Sequence, residues 1–379
     1  MKKISEKKRE NNEEPGEATR IYLTRNEIHL DKGMSTMAKL KDIATAANVS
    51  ISTVSRVLNG HTTVDQELAQ RVMDAASQLG FKKNSGKSTG KSIAFLVTWP
   101  SQSPGGSPSD AIFMTSFFNA ALLAAETSGY EMVFHYGGAD GELSPQFRRQ
   151  VLENRIAGAI VLGTYYEMER RYIQHLRKVD IPFFRLSRAS KEYSFPQNYV
   201  AVDDFHGGYT ATKHFLSLGH RKILHLAGAR KARDAAERYQ GAVRAIQEAG
   251  MSVDAMPVFH GDFHEHSGTR CAEEIASMDE PPTAVFAGND IMAIGLMRRC
   301  KELGIRVPED LGVIGFDGLV IGEYVTPALS TIASPMERIT AFAVEELVKE
   351  IEQPMRRFTK MVLEGSLVIR ESCGTKLQR

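Results

Sequence analysis

The stretch from Leu40 to Phe81, LKDIATAANVSISTVSRVLNGHTTVDQELAQRVMDAASQLGF, constrains this chain more than any other. Leu40, Ile43, Ala44 and Ala47 recur at helical spacing and give a first short helix one apolar face. The Ala47-Asn48-Val49-Ser50 turn follows, and the Ser50 hydroxyl has the chemistry to cap the free N–H groups of the next helix. On that second helix Val54, Val57 and Leu58 share one face, while Ile51, Ser52, Ser55 and Arg56 share the other. A third helix runs on toward Phe81. Two short helices joined by a small-residue turn make a helix-turn-helix, whose second helix is shaped to enter the DNA major groove. The same spacing also suits an ordinary helical hairpin inside a larger core.

The segment IATAANVSISTVSRVLNG resembles the headpiece of LacI/GalR-family transcription regulators. The likeness rests on the Val49-Ser50 pair, the run from Thr53 through Arg56 to Asn59, and the spacing to Phe81. It continues to about Ser372 and leaves out Met1–Gly33. The resemblance implies a sequence-specific regulator of transcription, a repressor that binds double-stranded operator DNA as a homodimer under the control of a small sugar-like effector. Arg56 is the expected base reader, because a guanidinium can bond guanine bidentately from the major groove. Ile51 and Ser52 would set preference at neighbouring pairs. Ser50, Thr53, Ser55, Asn59 and Lys39 are expected phosphate contacts or caps. A transcriptional activator, or a sugar-binding receptor with no DNA role, are the alternatives.

Composition bounds these readings. The chain has 379 residues, 42% of them hydrophobic, enough for two or three folding units. Its net charge of +1 marks no global nucleic-acid field. Between Met37 and Lys91, however, eight lysines and arginines stand against four acids, which matters at a phosphate surface. The three cysteines, Cys271, Cys300 and Cys373, are scattered without CxxC spacing and suit a reduced cytoplasm. No signal-peptide pattern opens the chain and no apolar run is long enough to span a bilayer, so a cytoplasmic protein with no membrane partner is expected. Residues 1–36 are charged and polar, and are expected to be a disordered extension or a mis-assigned start, with translation from Met34 or Met37.

The headpiece is assigned to 37–83 and a Gly/Ser/Lys linker to 84–92. From Ile93 onward, strand-length apolar runs (IAFLV, EMVFHY, GAIVLG, PFFRLS) alternate with amphipathic helices at Phe117–Ser128, Gln146–Asn154 and Glu167–Val179. The rhythm repeats after Val200, with KILHLAG, MPVFHG, TAVFAG and LGVIGFD as strands. The expected fold is therefore α/β: a three-helix helix-turn-helix headpiece followed by doubly wound parallel sheets in two successive halves, with ligands in the cleft at the strand ends. The family resemblance makes this core, residues 93–372, periplasmic-binding-protein-like and adds three chain crossings. These fall near Val200–Asp204, Tyr324–Ser330 and Met361–Glu364. The N-lobe would take about 93–200 and 328–360, and the C-lobe about 201–327 and 361–372.

Cleft residues can be read at strand ends. Asn289-Asp290 ends TAVFAG, Asp317 ends LGVIGFD, and Arg238 lies early in the helix after KILHLAG. A carboxamide, a carboxylate and a guanidinium can together bind several hydroxyls. Trp99, Phe113 and Phe263 are candidates to cover the apolar side of a sugar ring. The resemblance matches the same positions: Asn289 and Asp290 in FAGNDIMAIG, Arg238 in RYQGA, Asp317 in GFDG, Phe113 in an aromatic loop (DAIF), and Phe263 in GDFH. Asp290 is also a candidate helix N-cap, and Phe113 and Phe263 also suit core packing. Two departures stand out. Ser187-Arg188 replaces the usual Asp-Arg pair, so one acceptor for a sugar hydroxyl is lost; Arg185, Arg188 and Arg230 leave room for an anionic ligand. The linker lacks the leucine, alanine and arginine of a hinge helix that kinks DNA, so little operator bending is expected.

His260, His264 and His266 with Asp262 and Glu265 match no standard metal-ligand spacing, and no cofactor is expected. Enzyme chemistry is not expected either, since no GxSxG, Walker loop or dinucleotide fingerprint is present. The chain ends soon after Arg370 with no apolar heptads, so no tetramer-forming helical tail is expected.

Overall fold

The computed structural model describes residues 19–22, 39–58, 65–79, 81, 91–98, 108–136, 143–153, 155–163, 166–188, 197–354 and 358–374. Trp99, Asn59 and residues 84–90 of the expected linker lie outside these, as does most of the N-terminal extension. Among the described residues, no helix is long and apolar enough to cross a membrane.

Three helices form the headpiece: α1 (Leu40–Ala46), α2 (Ile51–Leu58) and α3 (Gln66–Gln78). The Lys39 N–H donates to the Asp42 carboxylate at 2.7 Å and starts α1. Asn48 turns the chain with a φ of 51°, a left-handed conformation that asparagine tolerates. The Ser50 hydroxyl then accepts the Thr53 N–H at 3.1 Å and caps α2, as its chemistry implied. Ile43, Ala44, Ala47, Val54, Val72, Ala76 and Phe81 close a small core. Arg71 on α3 donates to the Ala47 carbonyl at 2.6 Å and pins the turn.

The core holds two sheets. In chain order the first half contains β2 (Ser92–Thr98), α4 (Pro108–Thr127), β3 (Glu131–Tyr136), α5 (Pro145–Leu152), β4 (Ile156–Gly163), α6 (Tyr166–Lys178), β5 (Phe183–Arg185) and β6 (Asn198–Val202). The second contains α7 (Asp204–Leu218), β7 (Ile223–Ala227), α8 (Arg233–Glu248), β8 (Val258–His260), α9 (Glu265–Ala276), β9 (Ala284–Ala287), α10 (Asp290–Glu302), β10 (Gly312–Asp317), α11 (Ile321–Tyr324) and β11 (Ser330–Ala333). Then α12 (Met336–Glu352) returns to pack on α4, and β12 (Lys360–Leu363) and β13 (Ser366–Val368) end the fold. The first sheet runs β1-β12-β6-β5-β4-β2-β3 and the second β13-β11-β10-β9-β7-β8, where β1 is Thr19–Tyr22. All pairings are parallel except those of β1 with β12 and β13 with β11. The doubly wound architecture expected from the alternating pattern is present.

Four boundaries differ from expectation. The extension was expected to carry no structure, yet Thr19–Tyr22 pairs residue for residue with Lys360–Leu363. Its β-branched and aromatic residues suit the hydrogen-bonding edge that β12 offers. Helix α4 starts at Pro108 instead of Phe117, so Phe113 sits on a helix and not in a loop. The second crossing falls after Ala333, because Ser330–Ala333 pairs in parallel with Ile314–Asp317 and stays in the second sheet. The third falls at Glu364-Gly365, with β12 in the first sheet and β13 in the second. A Cβ on Gly365 would lie 2.9 Å from the Ala333 carbonyl oxygen, so these two crossings touch backbone to backbone.

Candidate nucleic-acid interface and ligand cleft

Helix α2 buries Val54 against the headpiece core and turns Ile51, Ser52 and Arg56 to solvent. Lys39 and Ser50 are exposed beside it, while Thr53 and Ser55 are half-buried. The Ser50 hydroxyl lies 2.7 Å from that of Ser52 and 2.8 Å from that of Thr53. This hydroxyl cluster sits at the positive end of the helix dipole, where an anionic oxygen is favoured. Every expected DNA-facing residue that is described therefore lies on or beside one outward surface.

A cleft of about 110 Å³ lies between the sheets. Phe113 and Phe117 of α4, Glu169 of α6, Arg185 of β5, the following Ser187 and Arg188, and Met336 and Ile339 of α12 form one wall. Asp204 of α7 and Arg233, Asp234, Glu237 and Arg238 of α8 form the other. Helices α7 and α8 approach at backbone distance: a Cβ on Gly208 would collide with the Arg238 carbonyl. That contact sets where Arg238 projects. Its Nε donates to Asp204 Oδ1 at 2.9 Å, one Nη donates to the Gly288 carbonyl, and the other lies 3.7 Å from Asp317. The guanidinium also stacks on Phe316, 3.7 Å from the ring centre.

Of the expected effector residues, Phe113, Ser187 and Arg238 line this cleft. Phe263, Asn289 and Asp317 do not; they stand behind Arg238. Phe263 lies close over Gly228, 6.0 Å from the guanidinium. Asn289 is the N-cap of α10, accepting the Met292 N–H at 2.9 Å and donating to the Phe263 carbonyl at 2.9 Å. The candidate cap Asp290 is instead the first helical residue. Its carboxylate accepts the Leu319 N–H and the Thr331 hydroxyl, and so ties α10 to β10 and β11.

Three carboxylates missed in the sequence complete the α7–α8 wall, and a fourth replaces the lost aspartate. Glu169 accepts from Arg185 Nε at 2.8 Å and from the Ser187 hydroxyl at 3.1 Å, while Arg185 also donates to Gln197 at 2.8 Å. The carboxylate expected at 187 thus arrives from α6. Its signal was a charged residue on the apolar stripe Tyr172, Ile173, Leu176, which a helix periodicity exposes. Arg188 lies 3.4 Å from both Asp203 and Glu237, bridging the first crossing and α8. Arg230 is exposed. Two of the three arginines expected to leave room for an anionic ligand, Arg185 and Arg188, thus face carboxylates, and the four arginines lining the cleft stand against four carboxylates.

Burial pushes the carboxyls of Asp317, Asp204, Asp234 and Glu169 up, and the neighbouring arginines pull them back. Desolvation opposes the charge of Arg238, and Asp204, Asp317 and Asp234 outweigh it. After β8, the histidine group is internally engaged: Asp262 lies 2.9 Å from His266 and bonds the His264 N–H and the Ser267 hydroxyl.

Two family profiles match this architecture: "Bacterial regulatory proteins, lacI family" over residues 39–84 and "Periplasmic binding protein-like domain" over 212–373. The HTH-type transcriptional repressor PurR of Vibrio vulnificus (strain CMCP6) is 30% identical over 341 residues, covering 89% of this chain and 98% of its own. A solved transcriptional regulator CelR–cellobiose complex is 26% identical with a TM-score of 0.65, covering 88% of this chain and 99% of its own. A LacI-family regulator from Enterococcus faecium with bound ribose is 25% identical, with a TM-score of 0.65 over 75% of this chain and all of its own. The lac repressor dimer bound to operator, at 23% identity and a TM-score of 0.61, shares the fold over 89% of this chain and 99% of its own.

Proposed function

We propose that this chain, which belongs to the lacI family of bacterial regulatory proteins and is a DNA-binding regulator of transcription, acts as a homodimeric repressor controlled by a neutral, hydroxyl-rich small molecule. The carrying observation is the charge balance of the cleft. Each lining arginine whose contacts are described above already faces a carboxylate, so a net anion would enter against Glu169, Asp204, Asp234 and Glu237 with no surplus cation to receive it. A sugar can instead accept from the guanidinium edges and donate to the carboxylates, with Phe113 against its C–H face. Relatives with cellobiose or ribose bound support that class.

In this reading Ser187 and Arg238 contact the effector, while Phe263, Asn289 and Asp317 position Arg238. Trp99 remains a candidate for the aromatic cover. Arg56, Ile51 and Ser52 read bases, and Lys39, Ser50, Thr53, Ser55 and Asn59 meet phosphates or cap α2. The effector touches both walls of the cleft and favours one angle between the two lobes. It can shift that equilibrium only as far as it binds one angle better than the other. The receptor alternative leaves the formed headpiece and its exposed α2 face without a use.

The test is to enrich an operator from random duplexes. Its affinity is then measured by anisotropy at fixed salt against a panel of neutral sugars, including ribose and cellobiose, and their phosphates. Thermal shifts on the same panel report binding directly. A neutral sugar is expected to raise the melting temperature and change operator affinity. Shifts produced by the phosphorylated compounds alone would overturn the charge-balance argument.

A further inference from the structure

We infer that the headpiece docks on the first lobe of its own core through α3 and α5, and that this contact sets where the recognition helix α2 points. The headpiece core is not made from headpiece residues alone. Leu152, at the end of α5, is only 6% exposed and belongs to the same buried cluster as Ile43, Val54, Val72, Ala76 and Phe81. One turn earlier on α5, Arg148 lies 3.6 Å from the Asp74 carboxylate of α3. Residues four apart share a helix face, so Arg148 and Leu152 present a cation and an apolar group side by side to α3. The neighbouring face of α5 belongs to the lobe, where Phe147 and Val151 are buried with Leu143 and Leu176. Helix α5 is thus buried on two sides, once in its own lobe and once in the headpiece.

The docked arrangement leaves the DNA-facing surface open: Ile51 is 49% exposed, and Ser52 and Arg56 are exposed beside it. It is a bound-competent posture and does not occlude α2. The connecting sequence Asn84–Ser92 contains no apolar side chain, whereas Leu152 buries one between lobe and headpiece. A single leucine and one part-exposed ion pair make a small, reversible interface. Such an interface is suited to shift between docked and free headpiece when the first lobe moves.

The experiment uses full-length protein and needs neither DNA nor effector. Asp74→Arg, Arg148→Asp and the double reversal are compared by trypsin cleavage at the linker lysines Lys82, Lys83 and Lys87 and by amide exchange. Each single reversal should speed linker cleavage about threefold or more and raise exchange in α3 and α5 together, without changing the second sheet. The double reversal should restore both readouts. Arg148 also neighbours His175, so its loss could loosen the lobe itself; Leu152→Ala is the control, expected to raise exchange in α1–α3 while β4 stays protected. Wild-type cleavage and exchange in Asp74→Arg, or failure of the double reversal to restore them, would overturn the docking. So would a Leu152→Ala variant whose headpiece exchange is unchanged.

Discussion

The outward face of α2 and the wall of the cleft are both polar, but they keep their polar groups under opposite conditions. Arg56 and Ser52 stand in water, and the hydroxyls of Ser50, Ser52 and Thr53 satisfy one another at the helix start. Arg238, Glu169, Arg185 and Asp317 are all nearly inaccessible and are held by buried partners, Arg185 by Glu169 and Gln197 and Arg238 by Asp204, Asp317 and the Gly288 carbonyl. Exposed groups cost little to keep ready and lose their hydration only when DNA arrives. Buried ones have already been desolvated during folding, so each depends on its partner. A substitution on α2 should therefore change binding without changing the fold, whereas one in the cleft should change both.

Arg238→Ala is the strongest attempt to break that contrast. It strands Asp204 and Asp317, which lie 2.9 and 3.7 Å from the guanidinium. Breaking a buried pair by removing one partner costs about 3–5 kcal/mol. Denaturant unfolding should show a loss of that size in the second lobe, together with loss of the effector response. Helix α2 should still bind operator wherever the chain remains folded. A loss below about 1 kcal/mol would place the cleft in the same class as a solvated surface.

His225 tests the same division through pH. The imidazole is fully buried between Tyr239 and Phe286, its Nδ1 bonded to the Phe286 carbonyl at 3.1 Å. Burial, with Arg238 and His260 adding repulsion, holds its pKa at about 4 against an ordinary 6.5. The folded state thus refuses a proton that the unfolded chain takes up below 6.5. Stability should be full above that pH and fall as the pH drops toward 4, by roughly 3 kcal/mol from this group. His175, also held at about 4 by burial, acts in the same direction. In His225→Phe the acid-side loss of melting temperature should shrink. An unchanged pH profile would mean that His225 is not the group that titrates.

The two regions also differ in how far the sequence alone could reveal them. The headpiece is local: Ser50 caps a turn three residues on, and Ile43 meets Val54 across one tight turn, so periodicity and cap chemistry sufficed. The cleft depends on sheet register. Ser187 ends a recognisable strand segment and Arg238 lies early in a recognisable helix, but Glu169 reaches Ser187 only because α6 folds back over the first sheet. Asp204 meets Arg238 only because Gly208 of α7 and Gly241 of α8 let the two helices touch. Asn289 and Asp290 show the same limit at single-residue scale: the pair was legible, but which one caps α10 and which one ties down β11 was not. Ser330–Ala333, four residues beside a crossing, was assigned to the wrong lobe, because only its pairing with β10 fixes the sheet it joins.

The smallest effect should come from α2, and its size is what sharpens the comparison. Arg56 is exposed, so Arg56→Ala should leave stability within about 0.5 kcal/mol of wild type. A bidentate contact to one guanine is worth about 1–3 kcal/mol, and its loss should appear only on the enriched operator, as relaxed preference at one base pair. Lys39→Ala removes a charge beside the helix start without touching a base edge. It should weaken all duplexes alike and lower the salt dependence of binding by about one counterion. Binding isotherms for both variants, on operator and on random duplex across a salt series, separate the two roles. Equal loss on both duplexes for Arg56→Ala would make it a phosphate contact. Base selection would then have to come from Ile51 and Ser52, the two exposed residues at the start of the same helix.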